Sequence, residues 1–194
     1  MKKSIKKEIR ILGIDDSPFS RNDREVLAVG IVYRGGNYLD GLLSFHIKRD
    51  GKDATEKIIR AVKKTRHKEQ LQLIMLDGLT LGGFNVADIQ EIRRKTKFPV
   101  IAVMRKKPDM KKFFLALKKA GRSREKLKMI ERAGKIHELK INKKNLYIQT
   151  AGISLKKAES ILKLTCLHSN IPEPLRVAHL IASGIVNGES KGRA

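Results

Sequence analysis

Asp15 and Asp77 are the residues of this chain best suited to chemistry, because each closes a short aliphatic run. Ile11-Leu12-Gly13-Ile14 precedes the first, and Leu71-Gln72-Leu73-Ile74-Met75-Leu76 precedes the second. Runs of this kind, bounded by breakers, read as buried strands. A carboxylate where a buried strand ends costs free energy unless it is paired or binds a cation. On parallel neighbouring strands the two would stand about 5 Å apart, close enough to share a divalent ion. Hydrolysis of a phosphodiester needs an activated water and stabilised charge on the leaving oxygen. Mg²⁺ or Mn²⁺ held by carboxylates supplies both. As turn or cap residues the same aspartates would be purely structural, and pattern alone leaves both roles open.

Two ligands are few for a metal, so a third carboxylate is expected from another strand end. Asp50 and Asp53 are available in Lys48-Arg49-Asp50-Gly51-Lys52-Asp53. Asp53 suits a helix N-cap, in the capping-box-like Asp53-Ala54-Thr55-Glu56, and Asp50 suits a turn. Asp50 is the expected ligand, with Asp53 as a helper. Asp16 points to the opposite face of its strand and is expected to cap the Ser17-Pro18 turn. Arg105, Lys106 and Lys107 follow the last core strand, where a cation could hold the scissile phosphate. Strand alternation would let only one of Arg105 and Lys106 face the metal. His179 lies among Leu175, Ala178, Ile181 and Ala182, a setting in which a histidine is ordinarily a core or boundary residue, as is His46. In the loop after Asp77, Gly82 and Gly83 would let the backbone approach a base or phosphate, and Phe84 could stack on a base or pack on the next helix. Asn85 would cap a helix to Thr96, whose start could hold an anion.

The elements that must position these groups read as strands Glu8–Asp15, Val26–Tyr33 and Tyr38–Lys48, the last two joined by a Gly35-Gly36 hairpin. A helix to about Arg66 with an Ile58, Ile59, Val62 stripe follows, then strand Leu71–Leu76, the helix to Thr96, and strand Pro99–Met104. A helix crossover can place the fourth strand parallel to the first, and right-handed crossovers give a mixed α/β sheet of five strands in the order 3-2-1-4-5. Asp15 and Asp77 then share one end of adjacent central strands, where open α/β sheets bind ligands. This is a ribonuclease H-like arrangement. Beyond it come basic helices Asp109–Ala120 and Ser123–Ala133, a hairpin (Ile136–Ile141, Leu146–Gln149) and terminal helices Ser154–His168 and Glu173–Asn187. The expected organisation is a single domain, 1–194: a core to 104, a basic helical and hairpin insertion over 105–150, and terminal helices over 151–188. Residues 189–194 look frayed.

With 43 Lys and Arg against 20 Asp and Glu, the net charge is +23, which points to nucleic acid as partner. Arg105 to Lys144 alone holds 16 Lys and Arg against 4 Asp and Glu, so phosphate contacts are expected from Lys107, Lys111 and Lys112. Aromatic residues are 5% with no Trp, which argues against a single-strand stacking platform. The lone cysteine, Cys166, has no disulfide partner and no zinc-ligand spacing around it. The basic start Met1 to Lys7 leads into no apolar leader, and no run is long enough to span a bilayer, so a cytoplasmic protein without membrane contact is expected.

Several of these segments resemble endonuclease V. Gly13-Ile14-Asp15-Asp16-Ser17 looks like its first-strand motif and Leu76-Asp77-Gly78 its second acidic motif. Tyr38 to Phe45 is similar to its third-strand segment, Ile101 to Arg105 to the strand carrying its active-site lysine, and Ile171-Pro172-Glu173-Pro174-Leu175-Arg176-Val177-Ala178-His179 to the start of its final helix. More closely, the chain resembles an archaeal sister family of uncharacterised basic proteins, marked by Gly-Ile-Asp-Asp-Ser-Pro-Phe and Leu-Asp-Gly-x-Thr-x-Gly-Gly-Phe-Asn. Some of its members are described as deoxyuridine-directed endonucleases. The resemblance implies Mg²⁺-dependent nicking of DNA near a deaminated base, uracil or hypoxanthine, with Asp15 and Asp77 as ligands and His179 as their neighbour. It also departs from endonuclease V. The third-strand glutamate falls on Ile47, the lysine on Arg105 with Lys106 beside it, and the strand-separating Tyr-Ile-Pro-Gly becomes Tyr38-Leu39-Asp40-Gly41. The His-Pro-Arg of the base pocket is absent. DNA is expected over RNA, and the competing readings are a non-catalytic nucleic-acid-binding protein on the same fold and an RNA-processing nuclease.

Overall fold

Apolar alternation organises the chain around one sheet. The computed structural model describes residues 7–119 and 123–190. The basic start through Lys6, the last residue of the expected Asp109–Ala120 helix and the end beyond Ser190 lie outside them. The elements are β1 (Arg10–Asp16), β2 (Glu25–Arg34), β3 (Tyr38–Lys48), α1 (Ala54–Lys64), a 3₁₀ turn (Lys68–Gln70), β4 (Leu73–Asp77), β5 (Thr80–Leu81), β6 (Asn85–Val86), α2 (Ile89–Thr96), β7 (Val100–Met104), α3 (Met110–Lys119), α4 (Ser123–Arg132), β8 (His137–Ile141), β9 (Lys144–Ala151), α5 (Leu155–Thr165) and α6 (Glu173–Asn187).

The large sheet runs β3-β2-β1-β4-β7-β9-β8. Its first five strands have the order expected from the sequence. β1 pairs antiparallel with β2 and parallel with β4, and β4 pairs parallel with β7. The hairpin expected inside a basic insertion instead completes the sheet, because β9 pairs antiparallel with β7. Ile141, Leu146 and Ile148 are fully buried there, and that apolar alternation draws the hairpin onto the exposed edge of β7.

Both faces of the sheet are covered. Leu12, Ile14, Ile74, Leu76 and Ala102 pack towards α1 (Ile58, Val62), α2 (Ile89, Ile92) and the α3–α4 pair (Leu117, Ile130). Ile11, Leu73, Met75, Ile101 and Val103 pack towards α5 (Ala158, Ile161, Leu162) and Leu175 of α6. Ala178 and Ala182 of α6 lie on Val29 and Ile31 of β2. Side chains alternate across a strand, so Asp15 and Asp77 continue the α6 face, and Asp16 continues the other.

Two helix starts differ from expectation. Asp53 precedes α1 but does not cap it. Its Oδ1 accepts from the Lys48 N–H at 3.1 Å and from Asn85 Nδ2 at 2.7 Å. The first N–H of α1, that of Ala54, donates instead to Asn85 Oδ1 at 3.0 Å. Asn85 opens no helix; it belongs to the short β5–β6 ladder, and α2 begins at Ile89 with Asp88 as its cap. The side-chain oxygen of Asp88 accepts from Gln90 N and Glu91 N, which makes it the better cap.

Gly13 sets the docking of α6. A Cβ at this position would lie 2.5 Å from the Pro174 carbonyl carbon and 2.6 Å from its oxygen. The bare Cα therefore lets the start of α6 rest directly on β1. Gly13→Ala should push α6 off the sheet and lower stability by about 1–3 kcal/mol, read as a lower midpoint in urea with an unchanged slope.

Candidate active site

The parallel register brings the two aspartates together. Ile14 pairs with Leu76, so Asp15 and Asp77, the next residues, stand side by side at the carboxyl ends of β1 and β4, about 5 Å apart between backbones. They line a cavity of about 850 Å³ with Asp16, Ser17, Pro18, Gly78, Met104, Arg105, Lys106 and His179. Asp15 is 5% exposed. Its Oδ1 accepts from the Asp16 N–H at 2.9 Å, and its Oδ2 lies 2.9 Å from His179 Nδ1.

Helix α6 brings His179 there. Pro174 sits against Gly13, and His179, five residues further along α6, reaches the carboxylate two residues further along β1. The Asp15 hydrogen bond raises the His179 pKa above its ordinary value, outweighing the opposite effect of burial. Neighbouring negative charge shapes the carboxylates. Burial, then repulsion from Asp15, pushes Asp77 up to about 7, with the charges of Arg105 and His179 opposing the shift. Burial, then Asp15, pushes Asp16 up to about 6. Arg105 and His179 offset this repulsion only in part, and a cation would offset more of it.

Asp16 does not cap the Ser17-Pro18 turn. Its Oδ2 accepts from the Gly82 N–H at 2.9 Å, on the face of β1 opposite Asp15. The strand β7 ends at Met104, so alternation no longer separates Arg105 from Lys106, and both line the cavity. Lys107, Lys111 and Lys112 are exposed beyond them, on the way into and along the first turn of α3.

Asp50 and Asp53 are not at this cavity. Asp50 stands at φ 52° in the turn after β3. Its Oδ1 accepts from the Phe84 N–H at 2.8 Å, its backbone N–H donates to Gly82 O at 2.8 Å, and its carbonyl accepts from Lys126 Nζ at 2.8 Å. Both aspartates thus organise the loop after β4. Asn85 is fully buried and holds Ala54, Lys48 and Asp53 together, so it has no group left for nucleic acid. Phe84 packs edge-on against Phe113 at 5.7 Å between ring centres, which takes it from base stacking. Gly82 and Gly83 have positive φ, and a Cβ on Gly83 would meet Asp50 Oδ1 at 2.3 Å. They shape the loop rather than line the cavity. Tyr38 is also remote. β3 runs parallel to β1, so Tyr38, level with Arg34 and hence with Arg10, lies about 17 Å of strand from Asp15 and stacks on Arg34. His46 lies in β3, level with Leu27, outside the cavity.

Sequence reasoning missed Lys126. It lies in a helix with basic neighbours, yet is 2% exposed. Its place in the amphipathic period of α4, one residue before half-buried Leu127, was the available signal. Glu173, also 2% exposed, pairs with Arg176 through bonds of 2.7 to 3.0 Å, which assigns the Pro-Glu-Pro-x-Arg string to anchoring α6.

Among the described residues no group of three His, Cys, Asp or Glu side chains could hold a metal ion. The donor set still fits one. Mg²⁺ is usually held by one or two carboxylates, with waters and substrate phosphate completing its shell. Asp15 and Asp77 supply the two carboxylates, in a pair whose repulsion a cation would relieve.

The raised Asp77 pKa means that its protonated form is favoured by folding. The associated stability is present below pH 3.8 and lost as pH rises through about 7. Asp77→Asn should therefore raise the melting temperature of metal-free protein by several degrees at pH 8, with the gap closing near pH 4. Added Mn²⁺ should raise the wild-type melting temperature at pH 8 and leave Asp77→Asn unmoved.

The family model described as endonuclease dU matches residues 7–186. A UPF0215 protein of Methanosarcina acetivorans is 54% identical over 193 residues, covering 98% of this chain and 97% of that protein. A crystal structure of an Archaeoglobus fulgidus protein of unknown function superposes with TM-score 0.82 at 45% identity, over 91% of this chain and 98% of that one. Human endonuclease V is similar in fold, with TM-score 0.58 at 18% identity over 93% and 85% of the two chains. So is Ciona intestinalis endonuclease V, solved with a 24mer DNA containing an inosine followed by a ribo-adenosine, with TM-score 0.55 at 17% identity over 88% and 82%.

Proposed function

The chain belongs to the endonuclease dU family, and on that premise we propose that it is a divalent-metal-dependent endonuclease that nicks DNA near deaminated bases. One observation carries the reading: two carboxylates, Asp15 and Asp77, meet at the ends of parallel strands beneath a cationic rim in one cavity. In a chain of net charge +23, that combination suits a polyanion whose backbone is to be cut.

The residues divide the work as follows. Asp15 and Asp77 would hold Mg²⁺ or Mn²⁺, which when bound activates water and offsets charge on the leaving oxygen. His179 holds the Asp15 carboxylate in one orientation through the 2.9 Å bond. Arg105 and Lys106 draw the phosphodiester into the cavity and stabilise charge that develops on it. Lys107, Lys111 and Lys112 extend the phosphate track without reading sequence. The solved endonuclease V complex with inosine-containing DNA supports the substrate class by fold analogy.

The test is a nicking assay on labelled DNA bearing uracil, hypoxanthine or an abasic site, with matched RNA, under Mg²⁺, Mn²⁺ or EDTA. Asp15→Ala and Asp77→Ala should each lower cutting by on the order of 10³-fold, several kcal/mol of barrier. DNA affinity should persist and fall steeply with salt. Wild-type binding without cutting under every metal would establish a non-catalytic protein instead, and cutting confined to RNA an RNA nuclease.

A further inference from the structure

A second cavity, of about 190 Å³, adjoins the first. Gly78 and Met104 line both, so the two meet where β4 and β7 end. Met104, Met110, Phe113, Ile130 and Ile136 make its wall largely apolar. Thr80 and Gln149 are the polar side chains on it. Gln149 comes from β9, level with Ala102, and is 3% exposed.

The amide of Gln149 has a defined orientation. Its Nε2 donates to the carbonyl of Gly134 at 2.7 Å. Turned over, it would set two oxygens against each other, so the Gly134 carbonyl fixes which end is which. Among the described residues no N–H or O–H donates to Oε1, and that oxygen is not sealed from solvent either. Beside the Thr80 hydroxyl, this largely apolar wall thus offers the unpaired Gln149 oxygen as a hydrogen-bond acceptor to whatever enters.

An acceptor of this kind discriminates one chemical change. Cytosine N3 and adenine N1 are themselves bare acceptors. Deamination converts each into a ring N–H, giving N3–H in uracil and N1–H in hypoxanthine. Against an acceptor, the parent base sets two lone pairs face to face, and the deaminated base makes a hydrogen bond. We infer that the smaller cavity receives an extruded nucleobase and that Gln149 Oε1 identifies it as deaminated by accepting its ring N–H. The inference rests on the substrate class proposed above and names the group that recognises it. The base leaves the stack and enters past Gly78, whose φ of 80° and lack of a side chain keep that passage open, while its phosphate stays with Arg105 and Lys106.

The experiment measures binding, so that it stands apart from cutting. Labelled oligonucleotides carrying one uracil, cytosine, 3-methyluracil, hypoxanthine or adenine are titrated with the full chain under EDTA and under Ca²⁺. Wild-type protein should bind uracil roughly tenfold or more tighter than cytosine and 3-methyluracil, and hypoxanthine similarly tighter than adenine. Gln149→Leu, which keeps the volume and removes the acceptor, should bind all five with the affinity that wild type shows for cytosine, with an unchanged salt slope. Equal wild-type affinity for uracil and 3-methyluracil overturns the inference, as does a uracil preference retained in Gln149→Leu. The 3-methyluracil comparison uses wild-type protein alone and decides the matter even if the variant fails to fold. Nicking is scored in parallel with Mn²⁺. Base preference without cutting would overturn the nuclease and leave the reader standing; cutting without base preference would do the reverse.

Discussion

The parallel contact between β1 and β4 is the constraint on which the site depends. It sets two carboxylates next to each other at the rim of a core whose strand interiors, from Ile11 to Ile14 and from Leu73 to Leu76, are closed to solvent. Repulsion and desolvation at that point oppose folding unless something positive answers them. His179 answers on one side, at 2.9 Å from Asp15, and Arg105 on the other through its charge on Asp77. What remains uncompensated is negative charge that a cation would offset.

The second anchor is α6. Its docking rests on a glycine, Gly13, that lets Pro174 touch the strand, and on the Glu173–Arg176 pair that ties its first turn. A helix held this firmly at its start carries His179 to a defined height above β1. The histidine can therefore orient Asp15 without belonging to any local motif around it. The two are 164 residues apart in sequence.

The acidic residues near the site divide into two groups of different purpose. Asp15 and Asp77 face the cavity. Asp16, Asp50 and Asp53 spend their oxygens on backbone N–H groups and on Asn85, and so clamp the loop from Gly78 to Val86 against β1 and the turn after β3. Lys126 closes the same clamp from α4. A rigid loop at this place holds Gly78 and Thr80 at the junction of the two cavities. Asp16, the third carboxylate at the first cavity, is thus engaged by the Gly82 N–H, and Asp50 and Asp53 stand away from the cavity because the loop claims them.

Much of this was legible in the chain. Aliphatic runs ending in aspartate announced β1 and β4, and the hairpin-then-crossover order dictated a parallel pair with both carboxylates at one end. The bounds of α6, Glu173 and Asn187, are as expected from the sequence. Local pattern has no access to competition among partners at long range. Asp53 reads as a cap because its neighbours suit one, yet Asn85, 32 residues away, offers its carboxylate a better bond. Asp50 reads as a ligand because it follows a strand, yet the Phe84 N–H claims it. The β8–β9 hairpin reads as an appendage because nothing local says which edge it will join. Sequence by itself determined the alternation, the strand order and the two aspartates, since these depend on residue type and spacing. Only the tertiary structure decided which polar groups were already satisfied and which were left facing a cavity, because hydrogen bonds are exclusive and their partners come from distant parts of the chain.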